Sequence, residues 1–320
     1  MSSFTRRRLL QGSALAAGAA ALAIAEEGSI LEPNYPKLKR IEVSLPRLPE
    51  AFEGFTIAQL SDFHYDEFFT IVPIRAAVEM TNVLNADLIA LTGDFVTTSF
   101  LKDYLHNAAE AANQAEPCAK VLQTLRSRIA TVAIMGNHDA ASDPVRISRT
   151  LESHGITVLL NQALPVERDG ARIWLAGLDS MMEGKPEIER TLHPIPKSEA
   201  VVLLMHEPDF ADVAAKHPVD LQLSGHSHGG QIWIPGIGAP WLPDFGQKYP
   251  RGMYRIGGLP LYTNIGLGTI RVPVRLNCPP EVTLITLRRP QSIKPQGQLL
   301  QLAPPSPAGR GDCYRRIRIG

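Results

Sequence analysis

Cysteine is scarce: Cys118, Cys278 and Cys313 are the only three in a chain of 320 residues, they stand far apart, and none has CxxC spacing. That pattern excludes a disulfide-stapled scaffold and argues against a thiolate metal site. A chain of this length can bury enough apolar surface to fold without a staple. An excess of one charge is also missing. Lys and Arg number 32, as do Asp and Glu, so no net field draws the chain to nucleic acid, and no nucleic-acid partner is expected. The apolar stretch near the start, Ala14 to Ala25, is too short and too rich in alanine for a comfortable membrane span. With 44% hydrophobic and 20% charged residues, the composition is that of an ordinary globular protein and not of a disordered one.

What is present begins with an address. Thr5-Arg6-Arg7-Arg8-Leu9-Leu10-Gln11 precedes the apolar stretch, and Ala23-Ile24-Ala25 closes it with small residues before Glu26. A basic segment, a short apolar run and a small-x-small site form the layout of an export signal. The segment resembles the twin-arginine signal, with Gln11 where lysine is commoner. Export across the cytoplasmic membrane to periplasm, cell wall or medium is therefore expected. It would use the export machinery that reads the signal, with cleavage near Ala25 or membrane tethering if uncleaved. No cysteine follows the run, so a lipoprotein anchor is not expected. Loss of residues 1–25 would remove three basic groups and no acidic one, leaving a formal charge of −3.

After the signal the reading is a linker and edge strand over 26–54, one catalytic domain over 55–289, and a flexible, Pro-rich, basic tail over 290–320. Strands are predicted at 38–43, 55–60, 87–91, 130–135, 156–160, 171–176, 200–205 and 219–223. Helices are predicted at 74–84, 101–128 with a break at Pro117, 144–153 and 210–216. Short strands with Gly/Pro turns follow, at 253–256, 261–263 and 282–287. Alternating strands and helices predict an α/β fold built from βαβ units, a two-layer β-sheet sandwich core flanked by helices.

The metal-competent residues fall where strands end. Asp62-Phe63-His64 follows the strand at 55–60, Gly93-Asp94 the one at 87–91, and Gly136-Asn137-His138-Asp139 the one at 130–135. His206 follows 200–205, and Gly225-His226-Ser227-His228 follows 219–223. Loops at the carboxyl ends of strands converge on one crevice, so five such clusters are expected to meet. Asp, Asn and His offer oxygen and imidazole nitrogen, a borderline donor set that suits Zn, Mn or Fe and not calcium. An extended backbone would point both side chains of Asp62-x-His64, and of His226-x-His228, the same way, as a chelate requires.

These motifs, D-x-H, G-D, G-N-H-D, a lone H and G-H-x-H in that order, resemble the calcineurin-like metallophosphoesterase superfamily. Gly225-His226-Ser227-His228-Gly229-Gly230-Gln231, Tyr254-Arg255, Gly266-Leu267-Gly268 and Asn277-Cys278-Pro279-Pro280-Glu281 are similar to its YkuE/YaeI-type branch. The resemblance implies two divalent metal ions. It assigns Asp62, His64 and His228 to the first, Asn137, His206 and His226 to the second, and Asp94 as the bridge. It implies a metal-bridging hydroxide as nucleophile and His138 as a catalytic residue near the leaving-group oxygen. Asp139 is expected to support His138 from behind. Tyr65, Asp66 and Glu207-Pro208-Asp209 are read as loop or cap residues, and His106, His154, His193 and His217 as surface histidines.

Trp233, Trp241, Phe245 and Tyr249 fall in an irregular stretch after His228 and are candidates to grip a substrate, Trp233 and Trp241 above all. The expected reaction is hydrolysis of a phosphoester, as a phosphodiesterase or pyrophosphatase acting on a cell-envelope or lipid-headgroup substrate. A phosphomonoesterase, a protein phosphatase and a non-catalytic, metal-containing envelope-binding protein are the competing readings.

Overall fold

Burial with a period of two organises the short strands. In β2 (Thr56–Leu60), Ile57 packs into one apolar layer while Ala58 and Leu60 pack into another. In β3 (Leu88–Leu91), Leu88 and Ala90 face the first layer and Ile89 and Leu91 the second. In β8 (Ala200–Leu204), Ala200, Val202 and Leu204 join that same first layer, and Val201 and Leu203 face a third. Strands buried on both faces read as continuous apolar runs, and here they form two sheets stacked face to face with helices outside each. This is the sandwich core expected from the alternation of elements.

The computed structural model describes residues 13, 17–19, 22–98 and 110–290. The arginine-rich stretch at 5–11, residues 99–109 with His106, and the residues from 291 lie outside them. Among the described residues no helix is long and apolar enough to cross a membrane. The first sheet runs β1–β12–β2–β3–β4–β5 and the second β10–β11–β9–β8–β7–β6. The remaining strands are β1 (Lys37–Ser44), β4 (Ala130–Ala133), β5 (Thr157–Val158), β6 (Gln162–Arg168), β7 (Ala171–Gly177), β9 (Leu221–Ser224), β10 (Gly252–Ile256), β11 (Leu259–Thr263) and β12 (Glu281–Arg288). β2, β3, β4 and β5 are mutually parallel, as are β7, β8, β9 and β11.

Helix α1 (Ile71–Leu84) buries Pro73, Ile74, Ala77, Val78 and Thr81, one helical stripe, and ends at Asn85 in the left-handed conformation. α2 (Ala115–Leu122) contains Pro117 in its first turn, where a missing N–H costs nothing; the break lies earlier, at the turn residue Gln114. α3 (Asn137–Ala140) is one turn. α4 (Pro144–Ser153) starts where its signals place it, with Pro144 at the first position and the Asp143 side chain accepting from Arg146 N at 3.0 Å. α5 (Ile188–Leu192) and α6 (Ala211–Ala214) cover the second sheet.

Other parts also differ from the sequence reading. β6 was not foreseen: it pairs with β7 across Asp169-Gly170, both with positive φ (51° and 77°), the turn that a two-residue hairpin needs. Residues 27–34, read as linker, are helical, and the Glu32 carboxylate accepts from the backbone N–H of Asn277 at 2.9 Å and from that of Cys278. Cys118 and Cys278 are free thiols in the interior.

Candidate metal centre

Five loops leave the carboxyl ends of β2, β3, β4, β8 and β9, three from one sheet and two from the other, and meet over the sandwich. Beneath them Gln59, an inward polar residue of β2, ties the sheets together. Its amide donates to Ser224 O at 2.9 Å and to Thr92 Oγ1 at 3.1 Å. The turns themselves are held by small residues. A Cβ on Gly136 would lie 2.2 Å from Asp94 Oδ1, and one on Gly225 only 1.9 Å from Ser61 Oγ.

The expected extended chelates are not what forms. Asp62, His64, Asp94, His226 and His228 all have positive φ, between 41° and 69°. The side chains converge because each sits on a left-handed turn at a strand end, at about 1–3 kcal/mol of local strain per residue that the surrounding fold over-determines. Backbone bonds lock the turns: Asp62 N donates to Gly93 O, His64 N to Asp94 O, and His226 N to the Asp62 carboxylate, all at 2.9 Å.

Three groups of donor atoms result, each with its members within 4.8 Å of one another: Asp62, His64 and His228; Asp94, His206 and His226; and His64, Asp94 and His138. Asp94 thus lies between the two halves, its Oδ2 at 3.1 Å from His206 Nε2 and 3.4 Å from His64 Nε2. Asn137 Oδ1 is 2.8 Å from His226 Nδ1, which places it in the second half. The structure so brings Asp62, His64, Asp94, Asn137, His206, His226 and His228 together, with His138 beside them. His154, His193 and His217 join none of these groups.

Hydrogen bonds fix which nitrogens can bind a cation. His206 Nδ1 is 2.6 Å from Thr92 O, and His226 Nε2 is 2.8 Å from Asp244 O. A carbonyl only accepts, so these nitrogens carry protons, and His206 Nε2 and His226 Nδ1 face the centre. His64 Nε2 and His228 Nε2 face each other at 3.0 Å, and His206 Nε2 is buried, with carboxylate oxygens of Asp94 and Asp62 at 3.1 and 3.9 Å. Imidazole nitrogens and carboxylate oxygens converging this closely are what a pair of cations would satisfy, so the residues fit a dinuclear centre.

Four of the imidazoles are neutral, as that fit requires, while His206, set between two carboxylates, holds a proton that a bound cation would replace. Burial pulls His64 down to about 3 and holds His138, His226 and His228 below the ordinary histidine range, leaving neutral imidazoles. Burial pushes the Asp62 carboxyl up, against the pull of His206. Burial opposes charge at Asp94 as well, but His206 and His138 outweigh it and hold Asp94 well below the carboxylate range. Burial likewise disfavours a charged His206, and Asp94 and Asp62 outweigh it, raising that imidazole well above its usual value.

Two expectations are corrected. The Asp139 carboxylate does not face the His138 ring. It accepts from the backbone N–H groups of Asp94 (2.7 Å), Phe95 (2.9 Å), Val96 (3.2 Å) and Gly136 (3.0 Å), so it shapes the Asp94 turn. Thr98 takes the place expected for it, with its N at 3.1 Å and its Oγ1 at 2.7 Å from His138 Nδ1. Trp233 does not reach the centre either; Arg251 stacks on its ring at 4.6 Å. Trp241 does, lining a cleft of about 240 Å³ with Met182, Pro243, Asp244, Ile270 and Arg271 beside Asp94, Asn137, His138, His226 and His228. Tyr249 is pinned by its hydroxyl to Asp212 at 2.8 Å, and Phe245 O accepts from Asp209 N at 3.0 Å.

Asp66 and Glu207 act as expected of loop residues. Asp66 caps the entry to α1 by accepting from Phe68 N and Phe69 N, and Glu207 accepts from Ser180 Oγ and Met181 N. Thr98, Gln59, Met182 and Arg271 were not singled out from the sequence. Thr97-Thr98 could have been, as a polar pair just beyond Gly93-Asp94.

The calcineurin-like phosphoesterase family matches residues 55–230 of this chain. The chain belongs to that family. It is 35% identical over 298 residues to metallophosphoesterase YkuE of Bacillus subtilis (strain 168), covering 90% of this chain and 99% of YkuE. It is 34% identical over 239 residues to phosphodiesterase YaeI of Escherichia coli (strain K12), covering 73% and 82%. A solved archaeal phosphodiesterase aligns with a TM-score of 0.37 at 15% identity, over 68% of this chain and 88% of that one. As a metallophosphoesterase the chain is an enzyme, a phosphoric ester hydrolase of a dinuclear, metal-dependent family.

Proposed function

We propose that this metallophosphoesterase hydrolyses a phosphodiester or pyrophosphate-type bond in a cell-envelope or lipid-headgroup substrate, outside the cytoplasm, with Mn, Zn or Fe as its metals. The observation that carries the reading is one carboxylate, Asp94, lying between two nitrogen-and-oxygen half-sites, with His138 alongside. The donor set supports borderline metals, because no thiol among the described residues joins the donor groups and Cys278 donates to His228 O at 3.0 Å. Bound divalent ions there would lower the pKa of a water and neutralise phosphoryl oxygens.

The protein's own residues supply the rest. Asp62, His64 and His228 would hold one ion and Asn137, His206 and His226 the other, with Asp94 reaching both. The backbone N–H of Thr98 donates to His138 Nδ1, so the proton of the neutral imidazole sits on Nε2. His138 can therefore present that N–H to the oxygen that leaves phosphorus as a water oxygen joins it, offsetting by a hydrogen bond the charge that develops there. Met182, Trp241, Pro243 and Ile270 give the cleft an apolar wall, which supports a substrate with an apolar or flat portion. The name of the Escherichia coli relative supports a diester.

The test is hydrolysis of bis-p-nitrophenyl phosphate and p-nitrophenyl phosphate by protein loaded with Mn, Zn or Fe. The diester is expected to be favoured, and no turnover of either under any metal overturns the proposal. His138→Gln is expected to lower kcat about 10²- to 10⁴-fold, with a greater loss for an alkyl than for a nitrophenyl leaving group. An equal loss for both would remove His138 as hydrogen-bond donor to the leaving oxygen. Export is tested by fractionating a bacterial host. The mature protein should begin at Glu26 outside the cytoplasm, and replacing Arg6 and Arg7 together by lysine should keep it inside; unchanged export in that variant sinks the twin-arginine reading.

A further inference from the structure

One side of the cleft is closed by a residue that the proposed chemistry leaves unused. Arg271 Cζ lies 4.0 Å from the centroid of the Trp241 ring, a cation–π arrangement that holds the guanidinium at the cleft wall. The same cleft is lined by His138, Asn137 and Asp94. The cation therefore stands on the leaving-group side of the centre.

The backbone at this position is also informative. Arg271 has φ 65°, in the left-handed region where glycine is at ease and other residues are strained. Leaving aside Asn and Asp, which tolerate that region, the described residues that share it are His64, His226, His228, Gln231 and Phe245. The first three are in the metal cluster. Gln231, three residues past His228, pins the Arg271 loop: its amide donates to Val272 O at 3.3 Å and Val274 O at 3.4 Å, and its Oε1 accepts from Ile270 N. A long basic side chain is thus kept at a position that glycine would fit better, on a loop fastened to the metal-binding motif.

We infer that Arg271, held over Trp241, determines specificity by binding a second anionic group of the substrate next to the scissile phosphorus, so that the preferred substrate is a pyrophosphate diester and not a simple phosphodiester. This rests on the hydrolase reading above. In the reaction a water oxygen joins one phosphorus and the P–O–P bond to the other breaks. The electron pair stays on the departing phosphate, and the guanidinium offsets the charge that arrives there.

Two probes that differ by one phosphate separate the possibilities: bis-p-nitrophenyl phosphate, and P1,P2-bis-p-nitrophenyl pyrophosphate, followed by release of p-nitrophenyl phosphate. The metal-loaded full chain should favour the pyrophosphate in kcat/KM by about tenfold or more. Arg271→Gln and Arg271→Gly should lose about 10- to 100-fold on it, mostly in KM, and less than about threefold on the simple diester. Arg271→Lys should recover part of the loss. Arg271→Gly should melt no lower than wild type, since glycine suits that backbone, and so isolates the side chain from the fold. Equal losses on both probes, no loss on either, or a wild type that prefers the simple diester overturns the inference. A wild type inactive on both probes refutes the hydrolase reading itself.

Discussion

Asp94→Asn is expected to empty the metal centre and abolish turnover. The substitution keeps the shape of the side chain and its acceptor for His138 N, at 2.9 Å from Oδ1. It removes the negative charge that lies 3.1 Å from His206 Nε2 and 3.4 Å from His64 Nε2. Metal content should fall from about two ions per chain to fewer than one, and kcat/KM on bis-p-nitrophenyl phosphate should drop by about 10³-fold or more, roughly 4 kcal/mol in the transition state. Metal analysis and steady-state kinetics read the two effects separately. A variant that keeps its metals and loses less than tenfold in activity would show that Asp94 does not bridge.

The second large effect is on stability. Arg275 is fully buried and donates to Gly268 O (3.2 Å from Nε), Cys278 O (2.9 Å) and Ile265 O (3.1 Å). It fixes the loop that lies over Asp62, where Leu267 N donates to Ser61 O at 2.9 Å and Gly268 N to Asp62 O at 2.7 Å. Burial alone disfavours the charge and lowers its pKa, so the carbonyl cage must solvate it. Arg275→Met matches the volume approximately but orphans three buried carbonyls. A loss of about 3–5 kcal/mol is expected, and a melting temperature lower by roughly 8 °C or more in thermal unfolding. Arg275→Lys should fall between the two because one ammonium cannot reach all three oxygens. A shift under about 2 °C for the methionine variant would show that the cage is not structural.

Much of the site could be read from the sequence because metal-competent residues recur at strand ends, and strand ends in a parallel α/β array share one edge. The strands read at 55–60, 87–91 and 200–205 contain β2, β3 and β8, and the helix read from Pro144 is α4, started to the residue. Asp139 and Trp233 were misread for one reason. Sequence adjacency places a residue near its neighbours along the chain, but the direction of its side chain depends on the turn. Asp139 sits at the start of a one-turn helix that aims its carboxylate back at the Asp94 loop, not at the ring beside it. Trp233 is drawn off the site by Arg251.

The sequence by itself determined the two-sheet α/β core, which side chains meet at the centre, their oxygen-and-imidazole character and the family. Each follows from residue type and spacing, and these survive any detail of packing. Only the tertiary structure decided how the ligands converge, through left-handed turns and not extended pairs, which nitrogens bear protons, and that Arg271 and Trp241 meet at the cleft. Those facts depend on contacts between segments far apart in the chain: β3 with β8 through Asp94 and His206, and the 241 loop with the 271 loop. Local periodicity carries no information about such pairs, because the distance between them is set by the stacking of the sheets and the turns at their ends.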